Sequence, residues 1–466
     1  MPNNTRAWQL LTLSAKSDSE LKSATENFIS YLKQHRQIDL TDVAYTLQCE
    51  QPALSHRRIV VCRDIEDAIA GFEDPRRVLT NTQEQERPVA FMFAGLGTQY
   101  VNMAWELYQG EPIFREQVDR CCEFLQSFLG EDLRDIIYPA RHSQSEWQSS
   151  TESSSGLDLR RMLGRDRTQT DSQTRSATAS LKQTHLAQPA IFVIEYALAQ
   201  LLISWGIRPQ AMIGYSIGEY VAATLAEVLS LEEGLTLIAR RAQMIQKLPG
   251  GAMLSVPLSQ GSIVSLLGDR LSLSAVNGAS MGVVAGESIA IAALEQQLTA
   301  KGLACRRLET SHAFHSHMMQ GIASELGELV KTFDLQAPKI PYVSNVTGTW
   351  ITAAEATSAD YWVKHLCQPV LFAPGIQELW QKDYPILLEL GPGQTLSSFA
   401  LQCLEHNPAV SKTVLPSLRY DYDCQPDLAF LLKTLGRLWL AGLEIDWKRF
   451  YADLSPKSIF SSVDSF

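Results

Sequence analysis

One strand–turn–helix segment constrains the fold of this chain more than any other stretch. An apolar run from Pro209 to Ile213 leads into Gly214-Tyr215-Ser216-Ile217-Gly218, and the residues that follow have the apolar spacing of a helix. Such a turn is a nucleophile elbow, which holds the serine strained and exposed while the glycines let strand and helix approach closely. Glycine is common enough for the bare pattern to arise by chance, so the prediction rests on the flanking strand and helix. It indicates an α/β parallel sheet with Ser216 as nucleophile.

Composition limits the class of protein. The chain has 466 residues, 45% of them hydrophobic, a net charge of −11 and eight scattered cysteines without a Cys-x-x-Cys pair. This length suits two or three domains, and the negative charge argues against non-specific binding to nucleic acid or an anionic membrane. The cysteine and histidine spacings match no metal site, and we expect none. Without a signal peptide or a membrane-spanning segment in the sequence, we expect a cytoplasmic protein.

The chain divides into four predicted parts. Residues 1–87 form a small α+β domain, and a large α/β-hydrolase-like parallel-sheet domain covers 88–249 and 311–405. Residues 250–310 have the order βαββαβ, which predicts an inserted ferredoxin-like subdomain. Residues 406–466 are a tail with one amphipathic helix. Within the large domain, 141–183 is rich in Ser, Thr, Gln and Arg, which predicts a disordered or weakly helical insertion; a helix should resume at Gln188, with Pro189 in its first turn.

A serine nucleophile needs a general base, and three candidate histidines fall in one loop: His312, His315 and His317. A metal site here would require nearby carboxylates, which the loop lacks. No acidic residue between the elbow and this loop has the strand-end setting of a triad member. We therefore predict a Ser–His dyad whose imidazole is oriented by a backbone carbonyl.

Two arginines, Arg240 and Arg241, lie on the second helix after the elbow. An arginine on a helix is usually exposed to solvent. One that faces inward would bind a substrate carboxylate through two parallel hydrogen bonds, which a simple esterase does not need.

Four motifs in combination resemble the malonyl-CoA:acyl-carrier-protein transacylases, specifically the acyltransferase domains of modular type I polyketide synthases. They are Gly95-Leu96-Gly97-Thr98-Gln99, Gln188-Pro189-Ala190, the elbow followed by Glu219, and His312-Ala313-Phe314-His315-Ser316. The resemblance covers nearly the whole chain. The first 87 residues resemble the linker between ketosynthase and acyltransferase, and the end of the chain resembles the linker that follows the acyltransferase.

The resemblance implies a role for each matching residue. Ser216 would be the acylated nucleophile and His315 the general base, with an oxyanion hole formed by the backbone amides of Leu96 and Ile217. The substrate-binding residues would be Gln188, Arg241, His312, Phe314, Tyr215 and Asn277, and the His-orienting residues would be His365, through its carbonyl, and Asn345.

The family also associates His-Ala-Phe-His with malonyl selection, and the bulk of Phe314 would exclude an α-methyl group. Tyr215 stands where the family usually has His, and Leu96 where it usually has Gln. The Ser-rich insertion is not a usual feature of the family.

The implied function is transfer of an extender unit from malonyl-CoA to the phosphopantetheine thiol of an acyl carrier protein. The reaction would be ping-pong, through an acyl-Ser216 intermediate and without a bound cofactor. The implied partners are the carrier protein and, through the N-terminal linker, a ketosynthase. Two alternatives remain open: a serine esterase or thioesterase of α/β-hydrolase type, and a non-catalytic docking segment of a synthase.

Overall fold

The N-terminal part of the chain is an antiparallel sheet covered by three helices. The computed structural model describes residues 6–83, 85–139, 172–382, 384–404 and 412–459. Strands β1 (Gln9–Ala15), β2 (His56–Cys62) and β3 (Leu79–Thr82) pair in that order. The helices span Asp18–Gln34, Leu40–Cys49 and Ile65–Glu73, and each begins with an aspartate or serine side chain that accepts a hydrogen bond from a first-turn amide.

The large domain is built on a five-stranded parallel sheet, which confirms the predicted α/β class. Its order is β10 (Tyr342–Val343), β5 (Ala211–Gly214), β4 (Val89–Phe93), β11 (Ile386–Leu390) and β12 (Thr413–Pro416). In register, Phe93 pairs with both Gly214 and Leu390, so the loops after β4, β5 and β11 lie side by side. The carboxyl ends of parallel strands are where open α/β sheets bind ligands.

Helices surround this sheet. Before the elbow they span Trp105–Gly110, Pro112–Leu129, Leu133–Ile137, Ser172–Ser180 and Thr184–Ser204. After it they span Ile217–Leu225, Leu231–Gln246, Ala323–Val330, Ala353–Ala356, Ala359–Cys367, Phe372–Gln381 and Thr395–Gln402, with a 3₁₀ helix at His317–Ile322.

One prediction for the segment before the elbow needs correction. The helix begins at Thr184, so Pro189 lies inside it rather than in its first turn; both flanking turns are buried, and tertiary packing outweighs the lost hydrogen bond. Of the predicted insertion, 141–183, residues 141–171 lie outside the described residues, and Ser172–Ser180 is a helix, which fits the weakly helical alternative. The Thr184–Ser204 helix is long and apolar enough to cross a membrane, but 89% of its apolar window is buried within the protein, as in a core helix.

The small subdomain is a four-stranded antiparallel sheet. It comprises β6 (Ala252–Val256), β7 (Leu271–Gly278), β8 (Met281–Gly286) and β9 (Arg306–Arg307), with helices Gln260–Val264 and Ser288–Ala300. The strand order is β7-β8-β6-β9. This is the βαββαβ arrangement expected from the sequence. Two backbone hydrogen bonds join β7 to the large domain. The carbonyl of Val370 accepts from the amide of Val276 over 2.8 Å, and the amide of Val370 donates to the carbonyl of Ser274 over 2.9 Å.

The end of the chain does not form a separate tail. Strand β12 extends the large sheet past residue 405, where the sequence placed the boundary. The helix Asp427–Leu440 packs on the N-terminal sheet, so closely that a Cβ on Gly436 would lie 2.3 Å from Ile59 Cδ1. Arg57 also donates to the Trp439 carbonyl over 2.6 Å. Such contacts join residues almost 400 positions apart, and no local pattern encodes them.

Candidate active site

The elbow has the strained backbone that its sequence implies. Ser216 adopts φ 54° and ψ −106°, in the left-handed half of the map that side chains other than glycine rarely enter. Both glycines are required by close approach. A Cβ on Gly214 would lie 2.0 Å from Glu219 N, and one on Gly218 would lie 2.2 Å from Phe93 O. Strand and helix therefore meet backbone to backbone, with the serine at their junction.

Ser216 and His315 lie within hydrogen-bonding distance, with Oγ 2.6 Å from Nε2. The other ring nitrogen, Nδ1, is 3.0 Å from the carbonyl oxygen of Gln368. A carbonyl only accepts, so Nδ1 carries the proton and Nε2 is free to accept from the serine hydroxyl. Burial lowers the pKa of His315 well below its usual 6.5, and His365 and Arg241 lower it further. The imidazole is thus a neutral base near pH 7.

The predicted orienting group, the backbone of His365, is joined by a second one. His315 Nδ1 donates to the carbonyl of Gln368, three residues beyond His365, and hydrogen bonds to the backbones of both residues raise the pKa of His315. The helix Ala359–Cys367 ends just before Gln368, which leaves that carbonyl free to accept from His315. The buried side chain of His365 points elsewhere: Nδ1 is 3.1 Å from the Tyr220 hydroxyl.

Asn345, also predicted to orient the histidine, instead braces the elbow. Its Oδ1 accepts from the backbone amide of Ser216 over 2.7 Å, and its Nδ2 donates to the Gly214 carbonyl over 2.7 Å. One side-chain amide thus spans the turn.

The other histidines of the loop have separate partners. His312 Nδ1 is 2.8 Å from Ser311 Oγ, and His317 Nδ1 is 2.9 Å from Ser272 Oγ. Burial lowers the pKa of His312. Among the described residues no three His, Cys, Asp or Glu side chains are grouped as a metal site would require. The histidines of the loop therefore do not act as a cluster.

Arg241 is buried, whereas its neighbour Arg240 is exposed. Arg241 Nη1 donates to Gln188 Oε1 over 2.6 Å, and the guanidinium lies 5.5 Å from the ring centre of Tyr220. Within the described part of the chain no carboxylate pairs with it, and Arg241 Nε and Gln188 Nε2 have no hydrogen-bond partner. A buried cation without a counter-ion is costly unless an anion binds there. The arrangement is suited to a carboxylate ligand.

The two predicted oxyanion donors lie in the turn after β4 and at the start of the helix after β5. A Cβ on Gly95 would lie 2.8 Å from Tyr215 Cδ1 and 3.0 Å from the Tyr215 carbonyl oxygen, so the turn that carries Leu96 rests on the residue before the nucleophile. Ile217 is the first residue of its helix, where a backbone N–H has no intrahelical acceptor. Such donors stabilise charge that develops on a nearby oxygen.

Aromatic side chains line the remaining wall. The Tyr215 ring packs edge-on to Phe372, with centroids 5.6 Å apart, and burial raises its pKa to about 12, partly offset by the adjacent Asn277 side chain. Phe314 is almost buried, with its ring 6.2 Å from that of His312. Of the predicted substrate-binding residues, Tyr215 adjoins the nucleophile and contacts Asn277, and Arg241 is close enough to His315 to lower its pKa.

Sequence reasoning missed two residues. Gln368 acts through its backbone, which a sequence pattern does not reveal. The sequence places Glu219 in the elbow motif and in the helix that follows but assigns it no role, yet it is fully buried and accepts a hydrogen bond from the Asn345 amide. An acidic residue inside an otherwise apolar helix, Ile217–Leu225, was the available signal.

Comparison with known proteins shows which protein family this chain matches. The family model described as acyl transferase domain matches residues 90–444, and one described as CurL-like, PKS C-terminal, matches residues 9–72. The spectinabilin polyketide synthase system protein NorB of Streptomyces orinoci is 32% identical over 459 residues, which cover 96% of this chain and 20% of NorB. The mycoketide-CoA synthase of Mycobacterium tuberculosis is 31% identical over 443 residues, which cover 94% of this chain and 10% of that protein. The chain thus spans only a small part of the length of these relatives.

Solved structures match over almost their full length. The acyl transferase domain of ZmaA has a TM-score of 0.86 and 37% identity, and the match covers 98% of this chain and 99% of that one. The acyltransferase domain from the second module of the salinomycin polyketide synthase has a TM-score of 0.71 and 31% identity, covering 94% and 95%. The acyl transferase domain of SpnD, solved in complex with 2-(pent-4-yn-1-yl)malonyl, has a TM-score of 0.78 and 34% identity, covering 94% and 96%. From its fold, its serine–histidine geometry and these matches, this chain belongs to the acyltransferase domains of polyketide synthases.

Proposed function

We propose that this domain loads a malonyl extender unit from malonyl-CoA onto the phosphopantetheine thiol of an acyl carrier protein. The observation that carries the proposal is the buried Arg241, which has Gln188 beside it and no carboxylate partner among the described residues. An acyl group with a terminal carboxylate supplies the missing anion, whereas an acetyl group does not. The malonyl derivative bound to the SpnD domain supports a substrate of this class.

The proposed reaction has two half-reactions. His315 Nε2 takes the Ser216 proton while Oγ attacks the thioester carbonyl of malonyl-CoA, and the amides of Leu96 and Ile217 bind the oxyanion. The C–S bond then breaks, and CoA leaves with the proton from His315. In the second half-reaction His315 deprotonates the carrier-protein thiol, which attacks the malonyl ester and regenerates Ser216. The residues supply all the acid–base chemistry, so no bound cofactor is needed.

Choice of malonyl over methylmalonyl is part of the proposal and depends on Phe314. The ring is nearly buried beside His312, where it would fill the space that an α-methyl group requires. A ketosynthase partner and a cytoplasmic location follow from the same resemblance.

Intact-protein mass spectrometry tests the function directly. The protein is mixed separately with malonyl-CoA, methylmalonyl-CoA and acetyl-CoA, with Ser216→Ala as the control. The expected result is a malonyl adduct that requires Ser216 and persists until phosphopantetheinylated carrier protein is added. Steady release of CoA without an adduct would instead identify a hydrolase, and neither adduct nor release would identify a docking segment.

A further inference from the structure

We propose that Glu219 is a positioning residue for acyl transfer. Its single buried carboxylate holds both the turn that carries Ser216 and the ring of His365, which packs against the general base His315. The inference rests on the proposed function, since it concerns the same serine. Glu219 lies three residues after Ser216 and is fully buried. In the part of the chain that the structure describes, no lysine or arginine forms an ion pair with Glu219. The basic side chain that lies within ion-pair distance is His365.

The first contact holds the turn. Glu219 Oε2 accepts from the backbone amide of Asn345 over 2.7 Å. The Asn345 side chain in turn bonds the Ser216 amide and the Gly214 carbonyl, each over 2.7 Å. Glu219 therefore fixes the residue that fixes the strained serine. A backbone with positive φ persists only where its surroundings over-determine it, and this chain of three hydrogen bonds provides that constraint.

The second contact lies behind the general base. Oε2 is also 3.4 Å from His365 Nε2, and the His365 ring stands edge-on to the His315 ring, with centroids 5.8 Å apart at 82°. The other oxygen, Oε1, accepts from the Tyr361 hydroxyl. The carboxylate thus joins segments that come together only in the folded chain.

The site presents two donors to the carboxyl group. The Asn345 amide and the Tyr361 hydroxyl are aimed at different oxygens of Glu219. A glutamine of the same shape keeps one acceptor oxygen. Its NH₂ group either faces the Asn345 amide, which can only donate, or faces the Tyr361 hydroxyl, which must then donate to Ser344 Oγ, 2.7 Å away. Either arrangement replaces a charged acceptor and removes at least one of the hydrogen bonds that Glu219 accepts. The free energy that a hydrogen bond to a charged group contributes corresponds to a change of about 10- to 100-fold in a rate that depends on that bond.

The test is the rate of Ser216 acylation by malonyl-CoA, followed by rapid quenching and intact-protein mass. The variants are Glu219→Gln, Asn345→Ala and the double variant, with Glu389→Gln as matched control. Glu389 is equally buried, and its two oxygens accept from the amides of Leu396 and Ser397. We expect Glu219→Gln to slow acylation about 10- to 100-fold with less than about threefold change in KM, and Glu389→Gln to stay within about threefold.

The double variant distinguishes positioning from general destabilisation. If Glu219 holds the turn through Asn345 as well as the ring of His365, the loss in the double variant should fall clearly short of the product of the two single losses, because residues in one network do not add. Multiplied losses, a wild-type rate for Glu219→Gln, or an equal loss for Glu389→Gln would each overturn the inference.

Two further measurements keep the test decisive. Labelling of Ser216 by a fluorophosphonate needs the same serine geometry but no malonyl group. If the wild type forms no malonyl adduct, the proposed function is wrong. The labelling rates of the variants still test the role of Glu219 in that case. If Glu219→Gln does not fold, Tyr361→Phe removes one donor and keeps the carboxylate. It should slow labelling about threefold to tenfold, and an unchanged rate would contradict the inference.

Discussion

The guanidinium of Arg241 donates to the side-chain oxygen of Gln188 over 2.6 Å, and both side chains retain a buried nitrogen without a partner among the described residues. Two unpaired donor groups thus lie on side chains that contact each other from neighbouring helices. Arg241 therefore has the setting of a ligand-binding residue, whereas the adjacent Arg240 packs over Phe128 at the surface.

Replacing Arg241 with alanine should remove the preference for carboxylated acyl groups. Loss of one partner of a buried charged pair costs about 2–5 kcal/mol, so kcat/KM for malonyl-CoA should fall by roughly 30-fold or more. Acetyl-CoA should change by much less, because it presents no carboxylate. Arg240→Ala is the matched control and should behave as the wild type in both assays. An equal loss with both substrates would mean that Arg241 is structural.

The acylation rate should persist at mildly acidic pH. Because burial lowers the pKa of His315 well below 6.5, the imidazole stays neutral and basic as the pH falls through that value. The acid limb of kcat/KM should therefore have its midpoint below 6.5 in stopped-flow measurements between pH 5 and 8. His365→Gln removes one neighbour that lowers this pKa, and should move the limb to higher pH. A wild-type midpoint at or above 6.5 would contradict the assignment of His315 as a buried neutral base.

Tyr215 should support the turn that carries the proposed oxyanion donor. Its ring packs against Gly95 and Phe372. Tyr215→Phe keeps the ring and should change acylation by no more than about fivefold, since one neutral hydrogen bond is worth about 1 kcal/mol. Tyr215→Ala leaves a cavity beneath the turn and should slow acylation at least about tenfold, a part of what loss of an oxyanion donor costs. Equal rates for the two variants would show that the turn holds its position without the ring.

A buried carboxyl pair should make stability fall as pH rises. Burial raises the pKa of Glu195 well above 4.5. A backbone hydrogen bond from Ala94 lowers this pKa, and the nearby Glu389 raises it. Burial also raises the pKa of Glu389, to about 7. In this range the folded state keeps protons that the unfolded chain has lost. The free energy of unfolding therefore decreases as the pH rises above about 4.5. The contribution of Glu389 to this decrease is complete once the pH passes about 7.

Thermal unfolding at pH 5 and pH 8 checks this effect. Glu195→Gln cannot ionise, so its Tm relative to the wild type should be higher at pH 8 than at pH 5. The exposed Glu328→Gln is the control, and its difference from the wild type should be nearly the same at the two pH values. A Glu195→Gln difference that does not change with pH would show that Glu195 is ionised in the folded protein.

Features that lie within short stretches of chain could be predicted from the residues alone. The elbow is encoded in ten consecutive residues, because strand period, glycine spacing and helix period are all local. The βαββαβ order of the small subdomain was readable for the same reason. The candidate dyad followed from chemistry, since a serine nucleophile needs a base and His315 lies in a loop rich in histidine.

The groups that support this chemistry come together only in the folded chain. The Gln368 carbonyl accepts from His315 in addition to the predicted backbone of His365, and it could not be predicted because a backbone group carries no residue identity and the end of a helix sets its direction. Glu219 and Asn345 meet across 126 positions of sequence. Strand β12 and the helix Asp427–Leu440 join the large sheet and the N-terminal domain through strand pairing, packing and hydrogen bonds between residues that are far apart in sequence. Local periodicity specifies elements, but burial and hydrogen bonding between distant segments specify the site.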